Sequence, residues 1–527
     1  MEINDNVVPL VKRIIKLIDP NTHSNIDVTN SSTFLNEIDD VCRYAAELIL
    51  EDRQELVDAV FLSPHPADII LKNSILFMIS RDPFFYRQMI HPLINQIKNI
   101  SISFIHYVYW CISRELFIRP VNSPDANAFI SRDLFRYYRV MICEISRRLE
   151  ILPKSTHKPR PSTPRRLALI TDQFLGPRHQ PSRDIFECAV KLQEIFEVEV
   201  TVFNVNLRPL DSCALFYPPM IANIETTFSG AQWIEMNGRS VRFISFVDRA
   251  FSIEKIAHVV SILNAFDPDV VIGFGDSNII ADLFAEKRPV ICLPTTSSLP
   301  FSLGDIVLVW DSAWKNTDLT TCSRLSRSVL RPFLYALFFP PRNETWSRDT
   351  FLLTDEDFIM SIVSNRLDEE IDGPFLECID RLLTACPRLH ILLAGHAEQL
   401  PSRLANQPNR QRLHIIGYVE DVRALYQMSD GALNPFRSGG GASVALALAE
   451  GRPVVSLATG DGSAVIGPDL TVPDVERYIA RVSAMATNPD LRKTLGAVAL
   501  QRFLQRCDWS ESMKQLFGYC CEAMTLP

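Results

Sequence analysis

Apolar positions recur three and four residues apart at the start of the chain: Val7, Leu10, Val11 and Ile14, then Ile38, Val41, Ala45 and Leu48. That spacing lines up one face of a helix and predicts helices over 6–17 and 34–50. Further helices are expected over 68–79, 84–97, 103–117 and 132–149. Pro64, Pro66, Pro83, Pro92, Pro120 and Pro124 punctuate them. No glycine occurs in residues 1–175, whereas all 19 lie beyond. A stretch without glycine has few turns that demand positive φ. Residues 1–151 are therefore expected to form an all-helical domain.

Residues 152–165 carry Pro153, Pro159, Pro161 and Pro164 among basic side chains and read as an extended linker. The pattern then changes to short apolar runs alternating with amphipathic ones. Strands are expected at 166–171, 199–205, 241–246, 270–273, 289–293 and 305–309, with helices at 183–196, 252–266 and 277–285. The series restarts with strands at 358–364, 389–394, 413–417, 431–435 and 454–457, around helices at 374–385, 421–428 and 441–449. Such alternation implies parallel sheets covered on both faces by helices. The fold class is thus α/β: two doubly wound, Rossmann-like domains, 166–345 and 346–527, behind the helical one. Ligands of such sheets bind beyond the carboxyl ends of the strands, so the cleft between the two sheets is the expected site.

Composition narrows the function. Of 527 residues, 47% are apolar and 22% charged, which excludes wholesale disorder. A formal charge of −9 and a pI near 5.7 argue against a nucleic-acid binder. The acidic start, Met1 to Asp5, does not read as a signal peptide. The run between Lys98 and Arg114 is shorter than the roughly 20 apolar residues a membrane span needs. Twelve scattered cysteines without Cys-x-x-Cys or zinc spacing read as reduced core thiols. A cytoplasmic protein without a transmembrane segment and without a metal site is expected.

The strongest local signal is Asn434-Pro-Phe-Arg-Ser-Gly-Gly-Gly-Ala-Ser443, leading into an alanine-rich run. Gly439, Gly440 and Gly441 free backbone N–H groups where a strand turns into a helix, a setting that favours an anion. Ser443 can cap the helix or add a hydroxyl donor. The sequence is neither a Walker loop nor Gly-x-Gly-x-x-Gly.

With Gly417-Tyr418-Val419, the segment running on through the helix at 421–428 to Asp430, Asn434-Pro435, the glycine turn and Gly451-Arg452-Pro453-Val454-Val455, the second half resembles the donor half of glycosyltransferases with the B-type two-Rossmann fold (GT-B). Retaining members place one Glu just before the glycine turn and another eight residues on, where this chain has Ser438 and Leu446. The triple glycine is more similar to the cytoplasmic protein-glycosylating branch, which includes bacterial N-glycosyltransferases and protein O-GlcNAc transferases. The resemblance implies an inverting, metal-independent transfer from a UDP-sugar to a protein or peptide. The nucleotide-sugar is substrate, and no cofactor is expected. The helical domain would hold acceptor or partner.

The resemblance also implies donor contacts. Asn365 and Arg366 follow the first strand of the second unit, where a basic residue meets the diphosphate; Arg437 is a second candidate. Gly395, Tyr418 and Val419 stand at strand ends that hold the nucleobase. Asp461 follows the strand at 454–457, on a loop at the carboxyl edge that faces the cleft; it is a catalytic candidate that meets the sugar hydroxyls. In the first unit, a long loop between Thr171 and Ser182 opens toward the cleft. His179 suits a general base, with Gln173, Arg178 and Ser182, read as helix N-cap, on the acceptor side. Two alternatives remain: a nucleotide-sugar 2-epimerase of the same fold, and a non-catalytic partner protein that binds acceptor.

Overall fold

The computed structural model describes residues 7–23, 32–121, 123–150, 163–176, 179–222, 224–236, 238–247, 251–310, 328–336, 342–405, 407–506 and 508–526. Most of the expected linker lies outside them.

The described N-terminal residues are helical from Val8–Ile18 to Phe135–Arg148. The helix expected over 34–50 is two. Ser32–Glu47 ends, and Leu50–Phe61 begins after an extended residue at Ile49. Arg53 explains the break: its guanidinium donates to the carbonyls of Ala45, Ala46 and Leu48, satisfying backbone acceptors that a continuing helix would have used.

Among the described residues the first sheet has eight strands: β1 (Arg166–Thr171), β2 (Glu199–Asn204), β3 (Gly230–Met236), β4 (Arg239–Ser245), β5 (Val270–Phe274), β6 (Val290–Leu293), β7 (Ile306–Trp310) and β8 (Val329–Phe333), in the order β3-β4-β2-β1-β5-β6-β7-β8. Among the described residues only the β3–β4 pair is antiparallel. Side chains alternate along β1. Leu167 and Leu169 pack with helix Gln180–Phe196 and the C-terminal helix, whereas Ala168 and Ile170 pack with helices Ile253–Phe266 and Ile279–Phe284. Burial on both faces is why β1 reads as an unbroken apolar run.

The second sheet holds β9 (Phe358–Val363), β10 (Leu389–Ala394), β11 (Leu413–Gly417), β12 (Gly431–Leu433), β13 (Val454–Leu457) and β14 (Thr471–Val472), all parallel, in the order β11-β10-β9-β12-β13-β14. The architecture is GT-B, with two Rossmann-like sheets behind a helical region.

Two boundaries differ from the sequence reading. The helical region shares one continuous core with the first unit. Tyr138 donates to Asp282 Oδ2 at 2.6 Å, Tyr107 bonds Ser212 Oγ at 3.1 Å, and His106 stacks on Phe251 at 3.9 Å. At the other end, helix Trp509–Ala523 leaves the second unit and packs on the first. Phe517 stacks on Phe196 at 3.9 Å, Arg331 pairs with Glu522, and Tyr519 donates to the carbonyl of Pro332 at 2.6 Å. The span 346–527 is therefore not one spatial unit. No helix among the described residues is long and apolar enough to cross a membrane.

Candidate functional site

In each sheet the first strand lies between neighbours reached in opposite directions: β1 between β2 and β5, and β9 between β10 and β12. Crevices open at such switch points. The chain leaves β1 into Asp172, β5 into Asp276, β9 into Asn365 and Arg366, and β12 into Asn434 and the glycine turn. The two crevices meet. Asp461 of the second unit accepts from the Ser297 N–H and hydroxyl of the first at 2.6 and 2.8 Å. The Arg366 guanidinium lies 5.5 Å from the ring centroid of Phe117, on helix Ile102–Ile118 of the helical region.

On the donor side one carboxylate organises two arginines. Glu370 Oε1 accepts from Arg366 Nε and Nη2 at 3.1 and 2.7 Å, and Glu370 Oε2 from Arg437 Nη1. Burial pushes the Glu370 pKa up, but Arg437 and Arg366 outweigh it and the net shift is down. Arg437 also donates to Asn434 Oδ1, the Val363 carbonyl and Ser443 Oγ. Its three nitrogens are thereby used and its side chain is buried, so it braces the turn and is not presented to a diphosphate. Arg366 keeps about a third of its side chain exposed, at 29%.

The glycine turn is tight for reasons internal to the fold. A Cβ at Gly439 would sit 3.4 Å from Arg366 Nη2 and 3.5 Å from Phe117; one at Gly440, at φ +90°, would overlap the Arg437 guanidinium; one at Gly441 would sit 3.3 Å from Asp461 Cβ. The expected space for ligand is thus partly filled by the site's own side chains. Helix Gly441–Ala449 starts there with no side-chain cap. Ser443 does not cap it: its hydroxyl donates to the Gly440 carbonyl at 2.9 Å. Gly395, at φ +135°, lies so close to Ser364 that any Cβ would overlap its carbonyl oxygen. Asn365 is exposed, and Tyr418 is 49% exposed at the end of β11. Val419 is core, packed with Leu353, Ile359 and Leu392.

On the opposite side helix Gln180–Phe196 starts earlier than expected, with His179 at its N-cap. Ser182 lies inside the helix. Its hydroxyl accepts from Leu175 N–H at 3.0 Å and bonds His179 Nδ1 at 2.9 Å. Burial, then Arg114 and Arg366, lower the His179 pKa to about 4, so the ring is neutral at pH 7. The Gln173 carbonyl accepts from Thr171 Oγ1 at 3.1 Å. Arg178 lies outside the described residues. Asp461, expected on a loop, sits in the first turn of helix Gly460–Ile466, and burial raises its pKa to about 7.

Five charged residues escape the sequence reading. Glu370 looks there like part of an acidic surface run. Arg114 and Arg208 belong to segments far from any motif, and only the fold brings them in. Asp172 and Asp276 carry a readable signal, since each stands just past the carboxyl end of a strand. Asp172 is buried, and its Oδ1 has no hydrogen-bond partner among the described residues. Burial raises its pKa to about 6 against the opposing pull of Arg208 and Lys255. Asp276 accepts from Thr296 Oγ1 at 3.0 Å, and burial raises its pKa to about 6. Among the described residues no group of three His, Cys, Asp or Glu could hold a metal ion.

Residues 364–488, from the end of β9 through helix Val475–Thr487, match the family described as Glycosyl transferases group 1. The second unit is thus a glycosyltransferase group 1 domain, and the chain is a sugar-transferring enzyme. No curated protein sequence matches the chain. Among solved structures it is similar to an O-GlcNAc transferase mutant of Thermobaculum terrenum (12% identity, TM-score 0.49, 99% of this chain and 98% of that one). It is also similar to Anabaena HepE in complex with UDP (11%, TM-score 0.45, 68% and 100%). A third is the pneumococcal O-GlcNAc transferase GtfA in complex with UDP and GlcNAc (8%, TM-score 0.44, 68% and 99%).

Proposed function

We propose that this chain moves a sugar from a UDP-linked donor to a hydroxyl or amide of a protein or peptide, inverting the anomeric centre, without a metal ion and in the cytoplasm. The observation that carries the reading is the approach of the group 1 domain to the carboxyl edge of the first sheet: Asp461, beside the glycine turn, bonds Ser297 after β6, and the charge of Arg366 acts on His179 beyond β1. A nucleotide-sugar lies with its diphosphate against Arg366 and the uncapped start of helix Gly441–Ala449. Its nucleobase lies toward Gly395 and Tyr418, and its sugar toward Asp461.

The acceptor nucleophile forms a bond to the anomeric carbon from the first-unit side. The bond to the diphosphate breaks, and the nucleoside diphosphate leaves with the electron pair. The nucleophile's proton goes to the protein. His179 and Asp172 are both placed at that edge, and with pKa values of about 4 and about 6 Asp172 is the stronger base. The inverting assignment rests on Ser438 and Leu446 standing where retaining members of the resembled fold have Glu.

Calorimetric titration and thermal shift against UDP, GDP, dTDP and ADP test the donor. UDP is expected to bind, and a UDP-sugar with acceptor peptides is expected to give products heavier by one sugar. Failure of all four nucleotides to bind would overturn the reading. An epimerised UDP-sugar in the absence of acceptor would replace it with the 2-epimerase. Peptide binding without turnover of any donor would leave a non-catalytic partner.

A further inference from the structure

Helix Ile102–Ile118 belongs to the region expected to hold acceptor or partner, yet its last turns face the donor domain. Arg114 and Arg366 lie on the same aromatic ring, 5.7 and 5.5 Å from the centroid of Phe117. The glycine turn touches that assembly, since a Cβ at Gly439 would sit 3.4 Å from Arg366 and 3.5 Å from Phe117. Two guanidinium groups from distant parts of the sequence are therefore gathered at the turn where the group 1 domain would present its amides.

Their ion pairs are unequal among the described residues. The buried Glu370 serves both Arg366 and Arg437. Arg114 makes no hydrogen bond and no ion pair among the described residues. Glu370 and the exposed Glu369 attract it through space, but burial, Arg366 and Arg208 act more strongly in the other direction and lower its pKa to about 10. Arg366 and Arg437 thus share one buried carboxylate, while Arg114, on the same ring as Arg366, has no ion-pair partner among the described residues. Holding like charges together costs free energy unless an anion joins them. Planar guanidinium forks suit phosphoryl oxygens.

We propose that Arg114 is a ligand of the donor's diphosphate, sharing it with Arg366 across Phe117, so that the helical region completes the donor site. The inference rests on the donor reading above and adds a residue that no motif of the group 1 segment contains. It also explains why the helical region is fused to the first unit through a common core: a phosphate ligand must be held in place.

The test uses the full chain, titrated calorimetrically with inorganic pyrophosphate and with UDP. Arg114→Gln is expected to weaken both at least tenfold. Arg114→Lys, which keeps the charge but not the fork, recovers part of the loss. Because the substitution removes a repulsion, the melting temperature of free Arg114→Gln is expected to equal or exceed that of the parent. Unchanged pyrophosphate and UDP affinity in Arg114→Gln would overturn the inference while leaving the donor reading intact. A parent protein that binds pyrophosphate in an Arg114-dependent way but no nucleotide would support the anion site and sink the donor reading. A parent that binds neither would sink both. If Arg114→Gln melts lower, Arg114→Lys decides at matched melting temperature: affinity restored supports the contact, and affinity still absent overturns it.

Discussion

Asp461 and Ser297 bind each other across the cleft, with one carboxylate oxygen accepting from both the backbone N–H and the hydroxyl of the serine. This contact joins the donor domain to the loop after β6. Burial raises the Asp461 pKa from an ordinary 3.8 to about 7. A carboxyl whose pKa is raised on folding stabilises the fold fully below its unfolded value, and that stabilisation is lost as pH rises through the folded value. Asp461→Asn cannot ionise. Its melting temperature should therefore fall less between pH 5 and pH 8 than that of the parent. Equal falls in scanning calorimetry would show that Asp461 does not titrate in this range.

Glu370 is the hub between Arg366 and Arg437. Removing one partner of a buried ion pair typically costs about 3–5 kcal/mol, because the other is left charged and buried. Glu370→Gln should lose stability of that order in urea unfolding and should weaken UDP binding through a misplaced Arg366. The double variant Glu370→Gln with Arg437→Gln should be more stable than the two single losses would sum to.

The pH profile of transfer distinguishes the two candidate bases. If Asp172 takes the acceptor proton, the acid limb of kcat/KM falls near pH 6, and Asp172→Asn abolishes transfer while keeping UDP affinity. If His179 takes it, the limb falls near pH 4 and His179→Ala has that effect instead.

Gly440 and Gly373 make a matched pair. Gly440 sits at φ +90° against Arg437, and Gly373 faces open space at an ordinary φ. Gly440→Ala should cost about 1–3 kcal/mol through backbone strain, with donor binding lost alongside. Gly373→Ala should stay within about 0.5 kcal/mol of the parent, as surface changes usually do.

Tyr138 anchors the helical region to the first unit through Asp282. Tyr138→Phe removes a buried hydrogen bond to a carboxyl group, worth about 1–3 kcal/mol. Thermal unfolding should report that loss in a single transition, since the two parts share a core. Two separate transitions would mean that the helical region folds on its own.

How far the sequence reaches follows from what each residue depends on. The parallel strands were legible because burial on both faces makes them apolar runs, unbroken through 167–170 of β1 and interrupted only by Ser361 in β9. β3 was missed because it is an exposed edge strand whose side chains carry little pattern, and β8 because Pro332 interrupts it. The glycine turn was found as a motif, but its tightness serves Arg437 and Phe117 as much as any ligand. Arg437 looked like a free cation because the sequence cannot show that Glu370, far along the chain, uses it. Arg114 and Arg208 become site residues only when the fold brings them to the sheet edge. Such contacts depend on tertiary position and leave no local signature.

The return of helix Trp509–Ala523 onto the first unit has a mechanical consequence. The chain passes between the two units twice, once between β8 and β9 and again after helix Pro489–Leu504. A body tethered at two points swings about the line through them and cannot pivot freely in other directions. Any movement of the group 1 domain away from the first unit has to part Asp461 from Ser297 while both crossings stay connected. Cutting the chain after residue 505 would remove one tether together with the contacts of Phe517, Tyr519 and Glu522 to the first unit.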